Sequence, residues 1–100
     1  MEIKVIKTDN ETILSIEGRV DTVTAAEFDT IAKPYDNEEQ STLVFDCEKM
    51  EYISSSGLRV ILTAHKSIVA KGGKFILRNL NSEIKSVIDI TGFSRILTIE

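Results

Sequence analysis

The sequence predicts an α/β fold: a mixed, mostly parallel sheet opened by an N-terminal β-hairpin, with helices packed on it. Three observations predict it. Two short β-rich runs flank a turn signal at the start of the chain. Strand-like and helix-like segments then alternate to the end. The chain has 100 residues, 42% of them apolar and 28% charged, enough for one compact core and too short for a second domain. A single domain over residues 1–100 is therefore expected.

The first strand is Ile3-Lys4-Val5-Ile6-Lys7 and the second Thr12-Ile13-Leu14-Ser15-Ile16-Glu17, with Asp9-Asn10 as the turn between them. Gly18 is expected to end the second strand. Thr24 and Glu27 have capping-box spacing, and Phe28, Ile31 and Ala32 give the following helix its apolar stripe. Pro34 is expected to stop that helix, because proline lacks an N–H and disfavours helix in the residue before it. Asp36 to Ser41 reads as a polar loop. Thr42-Leu43-Val44-Phe45 is a continuous apolar run, the pattern of a strand covered on both faces.

A second helix is expected to begin at Ser55 or Ser56. Its apolar positions Leu58, Ile61, Leu62, His65, Ile68 and Val69 lie three and four apart, and Gly72-Gly73 stops it. Lys74-Phe75-Ile76-Leu77-Arg78 is the next strand. Asn79 to Ser82 turns into a third helix carrying Ile84, Val87 and Ile88 and capped by Gly92. Ile96-Leu97-Thr98-Ile99 is expected as the last strand.

Composition narrows the function. A formal net charge of -4 is the opposite of a nucleic-acid binder's usual balance. One Cys and one His exclude a disulfide framework and a Cys/His zinc site. No apolar run approaches a membrane span, and Met1-Glu2-Ile3-Lys4 does not open a signal peptide. A cytoplasmic location is expected.

The most unusual feature is Ser54-Ser55-Ser56-Gly57, between a buried strand and a strongly amphipathic helix. Open α/β sheets place functional sites at such strand ends. A helix N-terminus also favours an anion, including a phosphate carried by a serine. The plainer reading stays open: one serine caps the helix and Gly57 permits a tight turn. Charge changes sign at the same seam. Residues 36–51 carry six acids and one base, a net -5, whereas residues 52–82 carry no acid and five bases. Two solvated faces would also give this pattern.

Enzymatic readings fare worse. A nucleophile elbow needs Gly-x-Ser-x-Gly, and Ile53 stands where the first glycine belongs. His65 lies ten residues after Ser55, about 15 Å along a shared helix, beyond the reach of a catalytic base. His65 reads as a core-edge residue. Cys47, between Asp46 and Glu48, reads as structural. Asp21 and Asp46 are each expected near a strand end and so near the serine loop, where paired acids would suit Mg²⁺. The opening hairpin argues against that arrangement, and glycine-rich nucleotide loops are missing. Neither a metal nor a cofactor is expected.

Three elements in order resemble the STAS domain family, and within it the stand-alone bacterial anti-sigma factor antagonists. Gly18-Arg19-Val20-Asp21 followed by Thr24-Ala25 resembles the family's Gly-x-Leu-Asp element. Leu43-Val44-Phe45-Asp46 and then Ile53-Ser54-Ser55-Ser56-Gly57-Leu58 resemble its signature strand, loop and phosphorylation site. Ile90-Thr91-Gly92-Phe93 with Ile96-Leu97 resembles its C-terminal Thr-Gly element.

The resemblance implies a non-enzymatic partner switch. The unmodified protein binds an anti-sigma factor that is also a serine-protein kinase. Phosphorylation by that kinase ends binding, and a serine phosphatase restores it. It implies Ser55 as phosphoacceptor, with Ser56 and Ser54 as alternates. Many members carry Asp before the acceptor, where this chain has Ser54. The implied partner surface is Asp21, Thr22, Ser54, Ser55, Ser56, Gly57, Leu58 and Arg59. The oligomeric state stays open, with a monomer as the simplest expectation for the free protein. Other STAS domains regulate stressosomes, lipid transport or anion transporters, so a STAS interaction module of lipid-transport, stressosome-like or other signalling machinery that is not phosphorylated stands as the alternative.

Overall fold

The computed structural model describes residues 1–36 and 42–100. The chain opens with β1 (Glu2–Lys7) and β2 (Glu11–Val20), continues through α1 (Thr22–Asp36) and β3 (Thr42–Asp46), and adds β4 (Met50–Ile53) before α2 (Ser55–Ala70). Then come β5 (Lys74–Arg78), α3 (Ser82–Thr91), a 3₁₀ turn at Phe93–Arg95 and β6 (Thr98–Ile99). Among the described residues the strands form a six-stranded sheet in the order β1-β2-β3-β5-β6, with β4 paired to β2. Among the described strands only the β1–β2 pair is antiparallel, as the hairpin and the later strand–helix alternation require. The Thr8 N–H and side-chain oxygen clamp the hairpin turn against the Glu11 backbone.

Four details depart from the sequence-based expectation. Gly18 does not end β2. It sits at φ +90° beside a register shift between Gly18 and Arg19, a conformation glycine takes without a Cβ clash. The bulge divides β2: residues 11–15 pair with β3 and residues 18–20 with β4. β4 itself was not foreseen. Its four residues straddle the end of the acidic segment and its partner is the tail of β2, a pairing that local composition does not show. α1 runs through Pro34 to Asp36. Proline in the last turn removes one hydrogen bond, and the helix carries on for two residues. The last strand is shorter than expected, because Phe93–Arg95 turns and Leu97 closes back onto the Phe93 carbonyl before β6 starts. The expected polar loop lies, apart from Asp36, outside the described residues.

The core sits between the sheet and the helices. Leu14, Phe45 and Leu77 share one row across β2, β3 and β5 and are fully buried. Phe28 of α1 packs on Phe45 with centroids 5.4 Å apart, and Phe75 meets Phe45 edge-on at 4.8 Å. Leu58, Ile61, Ala64 and Ile68 supply the buried side of α2. Burying a side chain of this size contributes roughly 1.5–3 kcal/mol, so this face fixes how α1 and α2 sit on the sheet. Gly72, at φ +81°, and Gly73 end α2, with the Gly73 N–H on the Ile68 carbonyl. Asn81 caps α3 by accepting the Ile84 N–H at 2.8 Å, while its amide donates to the Met50 carbonyl at 3.1 Å. That second bond ties α3 to β4.

Candidate functional site

Parallel pairing sets Val20 of β2 opposite Ile53 of β4. The Ser54 N–H donates to the Val20 carbonyl at 2.8 Å. Two helices therefore leave the sheet from neighbouring points: α1 after Asp21 and α2 after Ser54.

The three serines have different surroundings. Ser54 is the N-cap of α2: its backbone is extended and its hydroxyl oxygen accepts the Gly57 N–H at 3.2 Å. Its carbonyl accepts the Leu58 N–H at 3.0 Å. Ser55 is the first helical residue and is exposed, and Ser56 is half-buried. Gly57 lies inside the helix rather than in a tight turn. A Cβ there would stand 2.7 Å from Ile53 Cγ1 and 2.8 Å from Val20 Cγ1, so the position needs a small residue for space. Gly57 and Leu58 are buried, whereas Arg59 is exposed.

Asp21 closes the start of α1. Its Oδ1 accepts the N–H groups of Val23 and Thr24 at 3.0 and 2.9 Å. The Thr24 hydroxyl oxygen accepts the Asp21 N–H at 2.9 Å and donates to the Arg19 carbonyl at 3.0 Å. The reciprocal cap is thus Asp21 with Thr24, not Thr24 with Glu27, because the helix begins three residues earlier than the motif suggested. Hydrogen bonds from the Thr24 backbone and side chain, with help from Val23 and the Arg19 charge, hold the Asp21 carboxyl below its ordinary value. The Arg19 guanidinium lies 4.4 Å from the Tyr52 ring centroid and spans β2 and β4.

Two hollows flank the start of α2. One, of about 370 Å³, lies between α1 and α2 and includes Thr22, Asp29, Lys33, Ser56 and Arg59 in its lining. The other, of about 320 Å³, is lined by Ser55, Leu58, Arg59, Leu62, Thr91 and Phe93. Arg59 borders both. Sequence reasoning did not place Thr91 and Phe93 beside the serine. Their Thr-Gly element was visible, but its position depends on how α3 folds back on α2.

Asp46 does not join this corner. It pairs with Ser15 of β2, six residues before Asp21, which corresponds to roughly 20 Å along the strand. Its Oδ1 accepts the Glu48 N–H and the Asn79 amide. Among the described residues no cluster of three or more Asp, Glu, His or Cys side chains is disposed to hold a metal ion. Cys47 is fully buried, and its thiol is pushed up to about 12 by burial first and the Asp46 charge second. His65 shares α2 with Ser55 and meets Phe75 edge-on at 5.9 Å, at the margin of the core as the sequence indicated.

Comparison with known proteins agrees with this architecture. The STAS domain family model matches residues 2–100. The anti-sigma-B factor antagonist of Listeria monocytogenes is 30% identical over 100 residues, covering 100% of this chain and 87% of that protein. An anti-sigma factor antagonist structure from Mycobacterium paratuberculosis aligns with a TM-score of 0.88 at 20% identity, over 98% of this chain and 83% of that one. The Bacillus cell fate determinant SpoIIAA in its phosphorylated form aligns with a TM-score of 0.74 at 15% identity, over 99% and 91% of the two chains. At those identities the solved structures speak for the fold, while the family match spans nearly every residue. The chain belongs to the STAS domain family.

Proposed function

We propose that this protein is an anti-sigma factor antagonist, a non-enzymatic regulator whose partner binding is switched off by phosphorylation of Ser55. The observation that carries the reading is the division of labour among the serines. Ser54 is committed to the cap and Ser56 is half-buried beside α1, while the Ser55 side chain is exposed and makes no hydrogen bond among the described residues. A phosphate there adds about -1.5 to -2 charges and three acceptor oxygens without displacing a bond the fold needs. The partner is an anti-sigma factor that is also a serine kinase, and a serine phosphatase resets the switch. Asp21, Thr22, Ser56 and Arg59, with Ser55 among them, form the contact surface, with Gly57 and Leu58 supporting it from beneath. The Listeria antagonist supports the class of partner. SpoIIAA, named for its phosphorylated form, supports the type of modification.

Incubation with the cognate anti-sigma factor kinase, plus ATP, is expected to raise the intact mass by one phosphate. Ser55→Ala is expected to abolish the increase, and Ser55→Asp to weaken binding of the kinase. Undiminished labelling of Ser55→Ala assigns the acceptor elsewhere. Absence of labelling in the wild type, with binding intact, favours a STAS interaction module that is not phosphorylated.

A further inference from the structure

We propose that Arg59 is the intramolecular receptor for a phosphate on Ser55, so that modification withdraws a cation that the unmodified protein displays. The inference rests on the phosphoacceptor reading above and adds a regulatory residue to it. Ser55 and Arg59 are four apart on α2 and line the same hollow. Side chains at that spacing are neighbours, and an anion placed N-terminal to its cation is the favourable order.

Among the described residues Arg59 also lacks a competing acid. Its guanidinium makes no ion pair or hydrogen bond among the described residues. α2 carries no Asp or Glu. Among the described residues the one carboxylate lining either hollow is Asp29, which is 3.4 Å from Lys33. The α3 side contributes only Thr91 and Phe93. Asp21, nearby at the start of α1, already accepts two backbone N–H groups. A phosphate on Ser55 is therefore the first strong acceptor within reach of Arg59, and the planar guanidinium matches two phosphate oxygens at once.

The test places phosphoserine at position 55 during synthesis and follows its titration by ³¹P NMR. The second phosphate ionisation normally falls near pH 6. It is expected about half a unit to one unit lower in the wild type than in Arg59→Gln, roughly a three- to tenfold difference in proton affinity. Arg59→Lys is expected to restore part of the difference, because it keeps the charge and loses the fork. Lys66→Gln, also on α2 but eleven residues and about 16 Å further along the helix axis, is expected to leave the titration unchanged. Asp21 and Asp29 are present in all four proteins and cancel in the comparison. Coincident curves for wild type and Arg59→Gln overturn the proposal, as does an equal displacement in Lys66→Gln, which reports general charge alone. Because phosphoserine is installed directly, the result does not depend on any kinase. A wrong acceptor appears in the labelling experiment, and a wrong receptor appears here.

Discussion

α1 and α2 leave the sheet side by side, yet their N-termini are built in opposite ways. The start of α1 closes on itself. Asp21 brings a negative charge to the positive end of the helix, and Thr24 answers it through the Asp21 N–H and the Arg19 carbonyl. The start of α2 is capped by an uncharged hydroxyl, with no acid in its first turn. One helix end carries its own anion and the other does not. The contrast shows how a fold keeps one anion-favouring end available: it satisfies the geometry with Ser54 and leaves the adjacent Ser55 outside the bonding pattern.

Three sets of substitutions sharpen that contrast. The largest stability effect is expected at Gly57. Val20 and Ile53 are 0% and 5% exposed, so neither can yield to a new Cβ, and Gly57→Ala should cost about 1–3 kcal/mol by overpacking. Denaturant unfolding measures it, and an unchanged midpoint would show that α2 shifts freely on the sheet. Next come the neighbouring serines. Ser54→Ala is expected to cost about 1 kcal/mol through loss of the cap, whereas Ser55→Ala should stay within about 0.5 kcal/mol. Equal costs would erase the division of labour between them.

The smallest effect is expected at Asp21 and depends on pH. Its folded value lies below 3.8, so the ionised carboxylate adds stability above that pH and loses it as pH falls through the lowered folded value. Asp21→Asn keeps the cap acceptor and removes the titration. Its thermal midpoint should fall below wild type at pH 6 and converge with it in strong acid. A constant gap across that range would show that the charge does not contribute.

Much of this arrangement was legible in the residues. The hairpin, β3, β5 and the apolar sides of α2 and α3 follow from alternation, helical spacing and glycine stops, which are local signals. What stayed hidden was pairing over long range. β4 is a strand because β2 continues past Gly18 to meet it, and nothing within Met50–Ile53 announces that. Gly57 looked like a turn residue, yet its smallness answers to Val20, 37 positions away in sequence. The serine cluster drew attention from composition and resemblance alone. Which serine caps and which is displayed depended on the Ser54 contacts with Val20 and Gly57.

The bond from Ser54 to Val20 has a wider consequence. It holds Ser55 against a corner supplied by a segment more than thirty residues earlier, so the surface there is a discontinuous epitope. A linear peptide copying residues 50–60 carries the serine but lacks Asp21 and Thr22 beside it. An enzyme or antibody raised against the intact corner would read assembled shape before sequence, and unfolding would erase the epitope while leaving every residue in place.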